Sequence, residues 1–300
     1  MQQLDVIPHT IRHQHIDFHV EIRTSASPTI APVLAVRALA EREAAIGPQT
    51  KALLPLADIV SVRIGGVSAP GKLPPGSRLS DLADGLAGVL DELGLPRVNI
   101  CGTSHGGEIA YQLALRHPDR TERVVLTGVA ARPPALPRGT DPAGLSALMR
   151  SPARREVTRE IIARLLCLNP ARPVRGRATM EWVLNDMLAT ADEGQIGMWR
   201  RCLELLYAAS QPSGLQPPLL AVTGEHDVAS PTTECRALAA MSSQAVFATI
   251  AEADHWVFLT RSHELLDLTR RFLLDEPLEG LPYVAALERF NRQVSAQRSR

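Results

Sequence analysis

The chain has 300 residues, 45% hydrophobic and 21% charged, close to the soluble-protein average and outside the disordered and fibrous ranges. Its 32 basic residues balance 32 acidic ones, so the global positive field of a nucleic-acid binder is absent. Aromatics make up only 4%, and the core has to come from Leu, Val, Ile and Ala.

Cys101, Cys167, Cys202 and Cys235 are far apart and include no CxxC pair. That excludes the common zinc and dithiol patterns and suits a reducing compartment. The first 19 residues mix four histidines with Asp5, Arg12 and Asp17 and lack a long apolar stretch, which does not read as a secretion signal. No uninterrupted run of 18 apolar residues occurs, so no integral membrane association is expected. The expectation is a soluble, cytoplasmic protein.

Ile16, Phe18, Val20 and Ile22 alternate with Asp17, His19, Glu21 and Arg23, the period of a strand with one buried face, expected at a sheet edge. Pro32–Val36 is a continuous apolar run, as in a strand covered on both faces. Residues 40–54 read as helical, interrupted at Gly47-Pro48. Asp58–Val62 supplies the next strand, and a Gly/Ser/Pro-rich loop runs from Gly65 to Ser77. Ser80 is the expected N-cap of a helix burying Leu82, Leu86, Val89, Leu90 and Leu93, ended by Gly94. A strand at Val98–Cys101, a helix at Glu108–His117 and a strand at Val124–Thr127 follow in close succession. Such alternation with short connections predicts a mostly parallel sheet covered by helices on both faces.

From Arg132-Pro133-Pro134 to about Ser213 only helical patterns occur, at 141–150, 153–168, 177–190 and 195–209. Strand patterns return at Pro218–Val222 and Ala245–Ile250, and helices are expected near 257–274 and 284–294. The predicted organisation is an α/β core of residues 1–133 and 214–300, with residues 134–213 inserted as a helical unit.

Gly102-Thr103-Ser104-His105-Gly106-Gly107 lies between the Val98 strand and an amphipathic helix. In that context a GxSxG run makes a sharp strand-to-helix turn that lifts the serine hydroxyl above the sheet. The two flanking glycines remove side chains that would collide there, and the His105 amide falls where it can hold a negatively charged oxygen. A serine hydroxyl needs a base to accept its proton. Two later segments supply partners: Thr223-Gly224-Glu225-His226-Asp227 just past a strand, and Glu252-Ala253-Asp254-His255-Trp256 on a loop. His255 as base and Asp227 as its orienting acid follow Ser104 in the chain order used with this turn. Glu225 and Asp254 are rival acids, and His105 and His226 rival bases. His9, His13, His15 and His19 read as solvated side chains, and His117 as a partner of a helix C-terminus.

These segments together resemble the α/β-hydrolase superfamily, over roughly residues 16–275. The resemblance implies a Ser104–Asp227–His255 triad, a helical cap inserted after strand six, a substrate pocket between cap and sheet, and no metal or organic cofactor. Two departures stand out. The family's usual His-Gly after the strand matching Val33–Val36 is replaced by Arg37-Ala38-Leu39, which leaves a backbone amide of Ala38 or Leu39 to complete the oxyanion hole. The usual acidic residue after the next strand is Arg63.

Length and segment order are also similar, more weakly, to the synthases that make 3-(3-hydroxyalkanoyloxy)alkanoates for rhamnolipids, notably around Met187–Thr190 and the segment leading to His255. That similarity implies acyl transfer from an acyl carrier protein. Eight arginines fall within residues 150–177, against Glu156 and Glu160. A solvated helix face is the simpler reading, and a docking face for an acidic carrier protein or coenzyme A phosphates is the alternative. The resulting expectation is a serine-dependent acyl-transfer enzyme acting on an ester or thioester. The other readings are a non-hydrolytic protein of the same fold (a cyclase, lyase or small-ligand binder), motivated by the missing loop glycine, and an interaction module using the basic face.

Overall fold

A computed structural model of the protein describes residues 7–37, 48–49, 51–133, 142–151, 154–209 and 212–291. Among these residues nine strands form one sheet: β1 (Ile7–His13), β2 (Ile16–Arg23), β3 (Val33–Val36), β4 (Ile59–Ile64), β5 (Val98–Thr103), β6 (Thr121–Thr127), β7 (Leu219–Gly224), β8 (Gln244–Ile250) and β9 (Val284–Asn291). Their order is β1-β2-β4-β3-β5-β6-β7-β8-β9. The six strands from β4 to β8 pair in parallel, while β1, β2 and β9 join antiparallel at the flanks.

Alternate residues of the central strands feed two different cores, as the period-two pleat requires. Val60, Val62, Leu219, Ala221 and Phe247 pack on one face with α1 (Leu79–Glu92), α2 (Ser104–Arg116) and α7 (Thr232–Ala240). Ile59, Leu220, Val222, Val246 and Ala248 pack on the other with Leu53 and with α9 (Ser262–Leu273). Both faces are covered, which is why these strands read as unbroken apolar runs.

Between β6 and β7 the described residues form four helices: α3 (Pro142–Met149), α4 (Arg154–Leu165), α5 (Arg177–Thr190) and α6 (Glu193–Tyr207). They share a third core that includes Val157, Leu184, Leu188 and Ile196, and Trp256 from the sheet side joins it.

Several local expectations change. Residues 284–294 are predicted helical, yet Val284–Asn291 is a strand on the open edge of β8. Its Ala, Leu, Glu and Arg content favours helix, but β8 offers a row of unpaired backbone groups, and pairing with them prevails. Arg236 fixes the strand, pairing with Glu288 at 2.6 Å and lying over the Phe290 ring.

At the opposite flank β1 pairs with β2 through Gln14 and His15, both at positive φ, a two-residue hairpin turn. Gln-His is not the usual Asn-Gly, so the turn is hard to see in the sequence. β2 is therefore interior, and β1 forms the edge. Helix α1 starts from Arg78, whose amide donates to Asp81 Oδ2 at 2.8 Å, so Ser80 is not the cap. Helix α2 begins at Ser104 instead of Glu108. The expected closing helix is split into α8 (Val257–Thr260) and α9.

Candidate active site

β5 passes into α2 with no loop between Thr103 and Ser104. Ser104 takes φ +49°, a left-handed conformation costing an L-residue about 1–2 kcal/mol, so its neighbours must hold it there. Gly106 makes the packing possible: a Cβ on it would lie 2.4 Å from the Val36 carbonyl oxygen. The start of α2 therefore rests against the carboxyl end of β3. As the second residue of α2, His105 carries a first-turn amide with no intrahelical acceptor.

The loop after β8 brings His255 over this turn. Ser104 Oγ lies 2.9 Å from His255 Nε2, and His255 Nδ1 lies 3.0 Å from Asp227 Oδ2. With its proton on Nδ1, the imidazole donates to Asp227 and accepts from the serine hydroxyl. Asp227 lies in the turn just after β7, and two donors hold it: Thr223 Oγ1 reaches Oδ2 and the Ser230 amide reaches Oδ1, each at 2.7 Å. Ser230 Oγ in turn donates to the Gly128 carbonyl at 2.8 Å.

Gly128 lies just beyond β6 at φ +63°, and a Cβ there would approach His255 Cε1 to 3.0 Å. Asp227 and His255 are both buried. Burial disfavours the imidazolium, but the charge and hydrogen bond of Asp227 outweigh it, aided by the charge of Asp254, and the His255 pKa is raised above its ordinary value.

Thr223, Ser230 and Gly128 were not singled out from the sequence. Only Ser230 left a local signal, since an Asp side chain often closes a turn on a backbone amide a few residues further on. Gly128 acquires its importance from residues 99 and 127 positions away in the chain.

The rival residues lie elsewhere. Asp254 is fully buried and accepts the amides of Cys167 at 3.0 Å and Trp256 at 3.1 Å, tying the inserted helices to the His255 loop. Glu225 accepts the Glu252 amide at 3.2 Å. His226 Nε2 is 3.8 Å from Glu225 and His117 Nε2 is 2.8 Å from Asp84, so His117 partners a carboxylate and not only its helix end. His105 Nε2 is buried without a hydrogen-bond partner among the described residues, and burial lowers its pKa to about 4. His19 meets Thr10 at 3.2 Å. Arg63 lies 3.5 Å from Glu21 on the neighbouring strand. Ala38 and Leu39 lie outside the described residues.

A cavity of about 310 Å³ opens on Ser104 and His255. The inserted helices supply most of its apolar lining, including Met149, Leu165, Met187, Leu188 and Ile196, joined by Trp256. Among the arginines of residues 150–177, at least five are engaged by the fold, Arg164 among them. Arg150 pairs with Glu193 and Arg175 with Glu252, Arg154 donates to the carbonyls of Leu188 and Ala191, and Arg177 donates to those of Asn169 and Arg172. Arg155, Arg159 and Arg172 are exposed. No helix among the described residues is long and apolar enough to cross a membrane.

A hydroxyl bonded to a buried imidazole, itself bonded to a buried carboxylate, fits a nucleophile–base–acid triad. Among curated proteins, the chain is 40% identical over 62 residues to a putative carbamate hydrolase RutD of Caulobacter vibrioides, covering 21% of this chain and 23% of that protein. The chain thus aligns with about a quarter of that relative's length. It is 25% identical over 277 residues to a poly(3-hydroxyalkanoate) depolymerase of Ectopseudomonas oleovorans, covering 90% of this chain and 94% of that one. Among solved structures, the enol-lactonase from Burkholderia xenovorans LB400 superposes with a TM-score of 0.71 at 22% identity, over 89% of this chain and 100% of that chain. A family model for the alpha/beta hydrolase fold matches residues 62–262. With its parallel sheet, its serine turn and that match together, the chain belongs to the alpha/beta hydrolase family.

Proposed function

We propose that the protein is a serine-dependent acyl-transfer enzyme acting on an ester or thioester, with Ser104 as nucleophile, His255 as general base and Asp227 as the acid that orients it. Residues 134–213 act as the cap and the remainder as the catalytic core. The single observation that carries this reading is the continuous chain of hydrogen bonds from Ser104 Oγ through His255 to Asp227, at 2.9 and 3.0 Å.

In the first step Ser104 Oγ bonds to the substrate carbonyl carbon while His255 Nε2 takes the hydroxyl proton. The carbonyl oxygen becomes an oxyanion, met by the His105 amide at the positive end of α2 and by an amide of Ala38 or Leu39. As the tetrahedral adduct collapses, the leaving oxygen or sulfur departs with the proton held by His255. Water or an acceptor hydroxyl then gives its proton to His255 and attacks the acyl-enzyme, which releases the acid or a new ester and restores Ser104.

The apolar cavity favours a hydrophobic acyl group. The depolymerase aligned along most of the chain acts on a poly(3-hydroxyalkanoate), which is a polyester, and that supports an ester carbonyl as the point of attack. Transfer to water is the simpler fate. A thioester of an acyl carrier protein or coenzyme A would have to dock on the few arginines left exposed.

Incubation with a panel of aryl esters and acyl thioesters, followed by intact-mass measurement, should show an acyl adduct that Ser104→Ala abolishes along with turnover. Full turnover by Ser104→Ala would remove the mechanism. Failure of an active-site-directed fluorophosphonate to label Ser104 would favour a non-hydrolytic role for the fold.

A further inference from the structure

Glu108 stands on the same face of α2 as Ser104, four residues on. That spacing places it about 6 Å along the helix axis, and helical side chains lean back toward the N-terminus, here toward Ser104. Glu108 lines the cavity that holds Ser104 and His255, and also a smaller cavity of about 220 Å³ bounded by Tyr111, Gln112 and Arg132. It belongs to the wall between the two.

Leu206 and Tyr207 from α6 line both cavities with it, and Leu203 lines the larger one. The cations of the larger cavity, Arg164 and Arg200, are exposed residues, and Arg200 pairs with Glu204 at 2.6 Å. Burial alone pushes the Glu108 carboxyl up to about 8, with no cation or hydrogen-bond donor among the causes to pull it back. Near neutral pH the group is then mainly a neutral acid, with one O–H to donate and a carbonyl oxygen to accept. Holding such a group against a largely apolar cavity is costly unless something bonds to it.

We propose that Glu108 is a specificity-determining residue that binds a hydroxyl group on the acyl chain of the substrate, about two carbons beyond the scissile carbonyl. The inference deepens the acyl-transfer reading and rests on it. A hydroxyl can accept from the protonated carboxyl and donate to its carbonyl oxygen at once, and an unsubstituted acyl chain would leave both unpaired. Sites that bond a substrate hydroxyl discriminate far more strongly than sites that only fill space.

The test compares kcat/KM on methyl 3-hydroxyoctanoate and methyl octanoate for the wild type, Glu108→Gln and Glu108→Met. The wild type should prefer the hydroxylated ester by about tenfold or more. Glu108→Gln, which keeps a donor and an acceptor, should retain most of that preference, and Glu108→Met should bring the ratio near one. A wild-type ratio near one overturns the proposal whether or not the methionine variant folds. A ratio that survives in a folded Glu108→Met protein overturns it as well.

Dissociation constants of the same two esters for Ser104→Ala, with and without Glu108→Met, separate this inference from the catalytic one. If neither ester is turned over by the wild type, the Ser104 reading fails. Tighter binding of the hydroxylated ester that vanishes with Glu108→Met would still support Glu108, and equal binding would overturn it.

Discussion

Asp227 accepts at every contact it makes in the site: from Thr223 Oγ1, from the Ser230 amide and from His255 Nδ1. A carboxylate satisfies three donors, whereas a carboxamide must turn its NH2 toward one of them. Asp227→Asn should therefore misplace or retautomerise His255 and lower kcat by about 10⁴-fold, with a circular dichroism spectrum like the wild type's. The pH profile provides a second check. His255 has a raised pKa, so the base is lost to protonation below a limb lying above the ordinary value of 6.5, and activity falls as pH drops through it. Removing the Asp227 charge removes the main raising influence, so the residual activity of Asp227→Asn should lose its acid limb to lower pH. A limb that stays in place would show that another group titrates there.

The sheet's central elements were legible because both faces are covered, and continuous apolar runs such as Leu219–Val222 have few other uses in a domain with a central sheet. The flanks were not. β1 and β9 are partly exposed and take their conformation from a neighbouring strand, which no local window contains. The ends of central strands show the same dependence. Gly128 follows β6 at φ +63°, directly under His255. Gly128→Ala should cost about 1–2 kcal/mol for the left-handed backbone and displace the imidazole. The expected outcome is a modest loss in urea midpoint with a fall in kcat of more than about tenfold, the order of effect that follows from misplacing a reacting group. Unchanged kcat would mean that His255 has room to spare.

Across the whole molecule, the loop carrying His255 is also the junction with the inserted helices. Asp254 accepts the Cys167 amide, Trp256 Nε1 donates to the Leu165 carbonyl at 2.9 Å, and the Arg175 amide donates to the Glu252 carbonyl at 2.9 Å. Closure of the cavity and placement of His255 are thereby linked through residues 252–256. Asp254→Ala leaves two buried amides without their acceptor, a loss of about 1–3 kcal/mol per group. It should lower the melting temperature and raise KM several-fold, and a KM equal to the wild type's would show that the inserted helices and His255 are not coupled. Periodicity and turn chemistry alone determined that a parallel sheet with a helical insertion would form and that Ser104, Asp227 and His255 would stand at strand ends, because each is a property of a few neighbouring residues. Only the tertiary structure decided that these three meet within hydrogen-bonding distance, that Gly128 lies beneath His255, and that Glu108 lines the same cavity. Those contacts join segments up to 151 residues apart, and the physical reason is that a contact across the fold leaves no periodic trace in either segment that makes it.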